Sequence, residues 1–319
     1  MNKNLFMSAF AAVFISQCYG AVASATVPSE EVRRATTSAK LRVMTYNIRN
    51  SQGDRNTPNS WSLRKYDLAN QVARENLDVI GFQEVLPDQY KWLNERFPEY
   101  CFVGDGRHAD KISGEYAPVA FRKSRFEMIK AGTFWLSETP DVPGSIGWDA
   151  MFPRICSYAI LKDRKTGKKF SFANCHTDHR GRVAREKGML LVVERMKEFG
   201  EGAPIVFVGD HNCTEDDAPA KSVRTLLKDA IYLSQTPPVG PWRSCNGWRW
   251  KENILPASKV VNADAQMRKT FDSAELKRID FIYVSPGTKV LDYKTYSESR
   301  PGTKLYHSDH FAVSATILF

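Results

Sequence analysis

Six apolar, strand-like runs in this chain end in a side chain able to bind a metal ion or move a proton. The run 41–46 leads into Asn47, and 78–83 leads into Glu84. The run 170–175 meets His176, while 205–209 meets Asp210 and, two residues on, Asn212. Arg278-Ile279 precedes Asp280 and the run 281–284, and Ser308-Asp309-His310 opens the last run of the chain. A single strand ending in a polar residue is ordinary. Six that together hold carboxylates, imidazoles and carboxamides imply that neighbouring strands deliver their ends to one place.

The chemistry such a place could do follows from the atoms. Glu84, Asp210, Asp309 and Asn47 offer the oxygen ligands that hard divalent cations such as Mg²⁺ select, and no CxxC or His-rich spacing points to zinc. Hydrolysing a phosphate ester also takes a positioned water, a base for its proton and a group that stabilises charge on the phosphoryl oxygens. Asp210, His176 and His310 are of the right types, and an Asp such as Asp280 held against His310 would fix its tautomer and raise its basicity. Strand alternation puts Asp210 and Asn212 on one face and His211 on the other. By the same alternation His176, Asp178 and Arg180 share a face, and His179 points away. Asp309 and His310 are adjacent, so both reach one site only from a turn ahead of their strand.

These residues need a scaffold. Strands are expected at 41–47, 78–84, 100–104, 117–122, 126–135, 155–161, 169–176, 204–209, 279–284, 289–292 and 311–318. Helical spacing marks 63–75, a segment opening at Pro87-Asp88, 183–199 and 221–230, while 234–272 is rich in loop residues. Many strands and few helices, with no internal repeat or linker, predict one α/β (α+β) domain at 41–319, built of two packed mixed sheets with helices outside.

Ahead of it, Lys3, an apolar stretch at 5–15 and small residues at Ala21, Ala23 and Ala25 have the layout of a secretory signal peptide over 1–25. The apolar stretch is too short for a membrane anchor, so no stable membrane insertion is expected. Gln17 before Cys18 is a poor lipoprotein signal, which disfavours anchoring there. Residues 26–40 are a polar lead-in without periodicity. The expected location is therefore outside the cytoplasm, secreted or periplasmic. Of six cysteines, five follow the leader, an odd number that leaves at least one free thiol; Cys175–Cys213 is one pairing the sequence allows. The net charge of +9 fits either plain solubility or attraction of a polyanion.

Taken together and in order, Tyr46-Asn47, Gln83-Glu84-Val85, His176-x-Asp178, Gly209-Asp210-x-Asn212, Arg278-Ile-Asp280 and Ser308-Asp309-His310 resemble the endonuclease/exonuclease/phosphatase superfamily. That superfamily includes pancreatic-type deoxyribonucleases, AP endonucleases, neutral sphingomyelinases, inositol-polyphosphate 5-phosphatases and deadenylases. The resemblance spans nearly the whole chain after the leader. It implies a four-layer α/β sandwich. It also implies Glu84 as the principal Mg²⁺ ligand, with Asn47 and Asp309 near the metal and Mn²⁺ as a substitute. Asp210 would orient or deprotonate the water, and Asn212 would hold it or a phosphate oxygen. His310, paired with Asp280, would contact the scissile phosphate, with His176 on its other side. Glu115 resembles an acidic family residue near the phosphate site. His211 stands where the family most often has an aromatic residue. The segment 134–149 resembles an uncharacterised, secreted microbial branch.

Other residues have two readings. Arg180 and Arg182 could grip a phosphate or merely face solvent at a helix entry. Trp248 and Trp250, interleaved with Arg243 and Arg249, could stack a base or sugar or simply pack their loop. Phe134 and Trp135 read as core. The resulting expectation is an exported, Mg²⁺-dependent phosphoesterase with a phosphate-ester substrate and no protein partner. A phosphodiesterase or nuclease acting on scavenged polyanions, nucleic acid among them, leads, and a sphingomyelinase- or inositol-phosphatase-like head-group hydrolase is the alternative. A non-catalytic binding protein on the same fold is the reading from another class, and the full set of filled motifs argues against it.

Overall fold

The computed structural model describes residues 40–319, so the expectations for the leader, the lead-in up to residue 39 and Cys18 lie outside the described residues. In chain order the strands are β1 (Leu41–Asn47), β2 (Val79–Gln83), β3 (Tyr100–Val103), β4 (Val119–Arg122), β5 (Phe126–Trp135), β6 (Ile155–Asp163), β7 (Lys169–His176), β8 (Ile205–Asp210), β9 (Lys228–Asp229), β10 (Asp280–Val284), β11 (Lys289–Tyr296) and β12 (Ala312–Leu318). The longer helices are α1 (Trp61–Arg74), α2 (Pro87–Arg96), α3 (Arg182–Gly200) and α4 (Ala218–Arg224). Among the described residues no helix is long and apolar enough to cross a membrane.

Two six-stranded sheets result, ordered β11-β12-β1-β2-β4-β3 and β5-β6-β7-β8-β10-β9. Each has one parallel pair at its centre, β1 with β2 and β7 with β8, and every other pairing is antiparallel. Parallel neighbours cannot be joined by a hairpin and need a crossover. α1 supplies it between β1 and β2, and α3 between β7 and β8. The carboxyl ends of parallel strands are where an α/β sheet offers a ligand a crevice. Those ends here are Asn47, Gln83-Glu84, His176 and Asp210.

The sheets pack face to face over Val43, Val79, Phe172, Val206, Val208, Ile282 and Val313, all fully buried. On the outer faces α3 buries Met189, Val192, Val193 and Met196, while α1 and α2 bury Leu68, Val72 and Leu93. This is the expected sandwich of two sheets between helices, and Phe134 and Trp135 are core residues in it. Polar groups also cross the interface: Gln83 donates to Asn174 at 2.6 Å, and Asn174 donates to the carbonyls of Phe82 and Pro118. Every one of these buried amide contacts ties the floor of one sheet to the other directly beneath the strand ends.

Three expectations are corrected. Cys175 and Cys213 form no disulfide; both are buried free thiols, as are the other described cysteines apart from the half-buried Cys101 and Cys245. The helix expected at 221–230 stops at Arg224, and the chain enters the short strand β9 instead. Tertiary pairing decides this: Asp229 on β9 accepts from the buried Arg278 guanidinium at 2.6 Å, which also reaches Glu215 at 3.1 Å. Within 234–272, two short helical turns form at Ala257–Val261 and Ala265–Arg268.

Candidate active site

β8 and β10 run antiparallel with Asp210 opposite Asp280, and β7 lies parallel to β8 with His176 opposite Asp210. Gly209 lets these strands approach: a Cβ there would sit 2.0 Å from the Cys175 carbonyl oxygen. From the other sheet, β1 brings Asn47, whose Nδ2 donates to Asp210 Oδ2 and to Glu84 Oε1, both at 3.0 Å. One carboxamide thus bridges the two sheets. Ser308 donates from its hydroxyl to the Asn47 carbonyl at 2.7 Å, which brings the Asp309-His310 turn to the same point.

Glu84 and Asn212 both hold left-handed backbone, with φ of 59° and 45°. For non-glycine residues that conformation is strained and is retained where the surroundings over-determine it. At Glu84 it ends β2 and turns the carboxylate to where Asn50 donates from its backbone N–H and its Nδ2 at 3.1 and 3.0 Å. At Asn212 it lets the backbone N–H donate to Asp210 Oδ1 at 3.0 Å.

A cavity of about 300 Å³ opens on these groups, lined by Glu84, Asp210, Asn212, Asp309, His176 and His310, with Glu115 and three arginines around them. Of the residues expected at the site, these seven line it directly. Asn47 and Asp280 lie behind it, each bonded to a lining residue. His310 donates from Nδ1 to Asp280 Oδ2 at 2.8 Å, and its Nε2 faces Asp210 at 3.6 Å. Burial alone would lower the His310 pKa, but Asp280 and Asp210 outweigh it and hold the imidazole well above its ordinary value, charged. His176 is the opposite case. Burial and the nearby Arg154 push it well below its ordinary value, so its ring is neutral. Asn212 Nδ2 donates to His176 Nε2 at 3.0 Å, which places the ring proton on Nδ1, 4.0 Å from Glu115 Oε2. Burial first, then the Asp280 charge, raises the Asp210 carboxyl to about 7.

The oxygen donors fit a divalent cation. Burial alone would raise Glu84, but the Asn47 amide, His310 and Arg49 keep it ionised, below the usual carboxylate range. Burial and the Glu84 charge push Asp309 upward, the mark of acid density short of a counter-ion. The Arg49 guanidinium answers it only from a distance, 3.8 Å from Glu84 and 3.7 Å from Asp309. Ligand atoms of Asp210, Asp280 and His310 also lie within 4.8 Å of one another, but the His310–Asp280 pair is closed on itself and Asp280 is fully buried. Glu84 and Asp309, which face the cavity, are the better cation ligands.

Other expected site residues stand elsewhere. Alternation does not carry past His176: β7 ends there, the Thr177 N–H bonds the Asp210 carbonyl, and the chain turns. Asp178 is therefore 1% exposed, accepting from the N–H groups of Arg180, Gly181 and Met151 and from Arg154. Arg180 is exposed and does not line the cavity, and Trp248 lies over Arg64 at 5.5 Å, also away from it. His179, expected to face away, lines the cavity, as do Arg107, Phe152 and Arg154, which nothing local in the sequence marked.

His211 does face away from Asp210. It is fully buried against Phe207, Phe281 and Tyr283, stacked nearly parallel to the last two, and neither ring nitrogen has a hydrogen-bond partner. Burial drops its pKa from 6.5 to about 3. The unfolded chain therefore takes the proton first, and stability falls as pH drops below 6.5 toward 3, at about 1.4 kcal/mol per pH unit. His211→Phe should retain activity within about threefold, since the ring packs as an aromatic. It should also flatten the decline in unfolding free energy between about pH 6 and pH 4. Urea titrations of both proteins at the two pH values check this, and equal slopes would count against it.

Residues 44–310 match the Endonuclease/Exonuclease/phosphatase family. A structure of a family protein from Bacteroides vulgatus is 32% identical, covers 88% of this chain and 98% of its own, and superposes with a TM-score of 0.76. A mannosyl-6-phosphatase from Bacteroides thetaiotaomicron is 34% identical over 88% of this chain and 100% of its own, with a TM-score of 0.73. The D. rerio TDP2 complex with single-strand DNA product shares the fold at 18% identity and a TM-score of 0.64. An uncharacterised protein of Acanthamoeba polyphaga mimivirus is 24% identical over 228 residues, and the match spans only 33% of its length. The chain belongs to the endonuclease/exonuclease/phosphatase family.

Proposed function

We propose that this chain is an exported, Mg²⁺-dependent phosphoesterase, also served by Mn²⁺, that hydrolyses small phosphate esters by direct attack of water. The observation that carries the reading is one cavity of about 300 Å³ holding Asp210, 3.6 Å from the Nε2 atoms of both His176 and His310, beside the Glu84 and Asp309 carboxylates. Glu84 and Asp309, with Asn47 behind, would hold the ion, which when bound would polarise a phosphoryl oxygen. Asp210 takes a proton from the attacking water as the water oxygen bonds to phosphorus and the ester P–O bond breaks. The His310 imidazolium, fixed by Asp280, neutralises and orients phosphoryl oxygens, while the Asn212 amide holds the His176 ring beside them. The leader-like residues 1–25 support export.

A cavity of this size matches one small head group. The likeness to a mannosyl-6-phosphatase supports a phosphorylated sugar over a polynucleotide. A nuclease is the second reading, favoured by the net charge of +9. The test is a panel with Mg²⁺: hexose 6-phosphates, inositol phosphates, sphingomyelin, plasmid DNA and RNA. We expect a sugar or inositol monoester to exceed nucleic acid by at least roughly tenfold in kcat/KM, about 1.4 kcal/mol of transition-state preference. Salt-sensitive cleavage of nucleic acid alone would transfer the assignment to the nuclease, and failure on every ester would end it.

A further inference from the structure

Phe152 is out of character for its surroundings. It is 39% exposed at a cavity otherwise lined by charged and polar groups, and it has no part in the chemistry above. The Arg107 guanidinium lies 5.2 Å from its ring centre, and the His179 imidazole is stacked on it at 5.9 Å, tilted by 20°. We infer that Phe152, His179 and Arg107 form the leaving-group subsite, and that it selects esters of a neutral, ring-bearing polyol. This inference rests on the phosphoesterase reading.

The wall is held in place before any substrate arrives. The Met151 N–H bonds Asp178, fixing the residue beside Phe152, and the Arg107 carbonyl accepts from Trp135 Nε1 at 2.7 Å. Arg154 reaches His179 Nδ1 at 3.3 Å, so Nδ1 accepts and Nε2 carries the ring proton as a free donor. Asp178, expected on the His176 face, instead acts as the peg on which this wall hangs.

Charge decides what the wall can bind. Arg107 is paired with Glu115 at 2.6 Å, and Arg154 with Asp178 at 3.4 Å. Both guanidinium groups are thus neutralised by their own acids, which leaves little to hold a second phosphate of a polynucleotide. An apolar ring edged by N–H donors suits a polyol ring, whose C–H surface and hydroxyls alternate in the same way. Removing such a contact should act mainly through KM, because it binds ground state and transition state alike.

The experiment compares a hexose 6-phosphate with glycerol 3-phosphate, which keeps the phosphate and hydroxyls but lacks the ring, in the full chain with Mg²⁺. The wild type should prefer the hexose ester. Phe152→Ala should lower kcat/KM for it by roughly 10- to 50-fold, mostly in KM, and change glycerol 3-phosphate by no more than about threefold. Phe152→Tyr should restore the preference. Equal losses on both esters, no ring preference in the wild type, or a Phe152→Ala defect on DNA but not on the hexose ester would each overturn the subsite. Absence of turnover on any ester would remove the reaction class itself, and the subsite with it, a failure distinct from turnover without discrimination.

Discussion

Replacing Asp210 with Asn is expected to lower kcat by roughly two to four orders of magnitude, the usual range for losing a general base. The carboxylate neighbours four groups of the site: Asn47 at 3.0 Å, the Asn212 N–H at 3.0 Å, and the Nε2 atoms of His176 and His310 at 3.6 Å. Asn keeps the size of the side chain and removes the proton-accepting carboxylate, though it leaves one oxygen to serve the Asn47 Nδ2 and Asn212 N–H donors that now use two. Stability should not suffer. Burial holds the Asp210 carboxyl at about 7, so above the ordinary carboxylate range its ionisation is opposed by the fold, and a neutral amide escapes that cost. Steady-state kinetics with saturating Mg²⁺, run beside thermal melts, separate the two effects. A variant that melts normally and turns over at the wild-type rate would refute the base assignment; one that melts early would say nothing against it, and Asp210→Glu, which keeps the base but displaces it, should then show an intermediate rate.

What could be read from the sequence follows from how far local rules reach. Strand bounds at β1, β5 and β7 coincide with expectation because alternation, β-branched residues and turn signals all act within a few residues. The site residues were visible for the same reason, since each closes or opens such a run. The reason their ends meet was not visible. It lies in two parallel pairs, each requiring a helix between strands that neighbour only in the fold. Arg107 and Phe152 sit in loops with no period to mark them, and Arg154 stands just ahead of β6, so only tertiary contact reveals them. Asp178, His179 and Arg180 were misplaced because alternation was extended four residues beyond a strand that ends at His176. The His211 argument succeeded where that one failed because the Asp210–Asn212 segment is still pinned to strand neighbours: the His211 N–H bonds the Ile279 carbonyl at 2.8 Å.

Removal of divalent metal should abolish turnover, with Mg²⁺ or Mn²⁺ restoring it, and Glu84→Gln should reproduce the metal-free state in the presence of metal. The reason is charge. Glu84 and Asp309 face one cavity, and Glu84 is among the groups that raise the Asp309 carboxyl, so they repel each other across it. A divalent ion converts that repulsion into attraction; at an effective dielectric constant of about 20, one unit-charge pair 4 Å apart is worth about 4 kcal/mol, or about three orders of magnitude in affinity. Gln keeps the size and one oxygen but gives up that charge, while Asn50, which donates twice to Glu84, loses a charged acceptor. Two readouts follow. Without metal, Glu84→Gln relieves the repulsion on Asp309 but gives up the contacts that hold the Glu84 carboxyl below the usual carboxylate range, so it should melt below the wild type. With Mg²⁺ at 100 times the wild-type Kd, the wild type should gain about 2.7 kcal/mol and the variant close to none. Calorimetric titration of Mg²⁺ and thermal melts measure both without relying on turnover. Activity that survives exhaustive EDTA treatment, or a variant that keeps the full metal-dependent stabilisation, would take Glu84 out of the metal site.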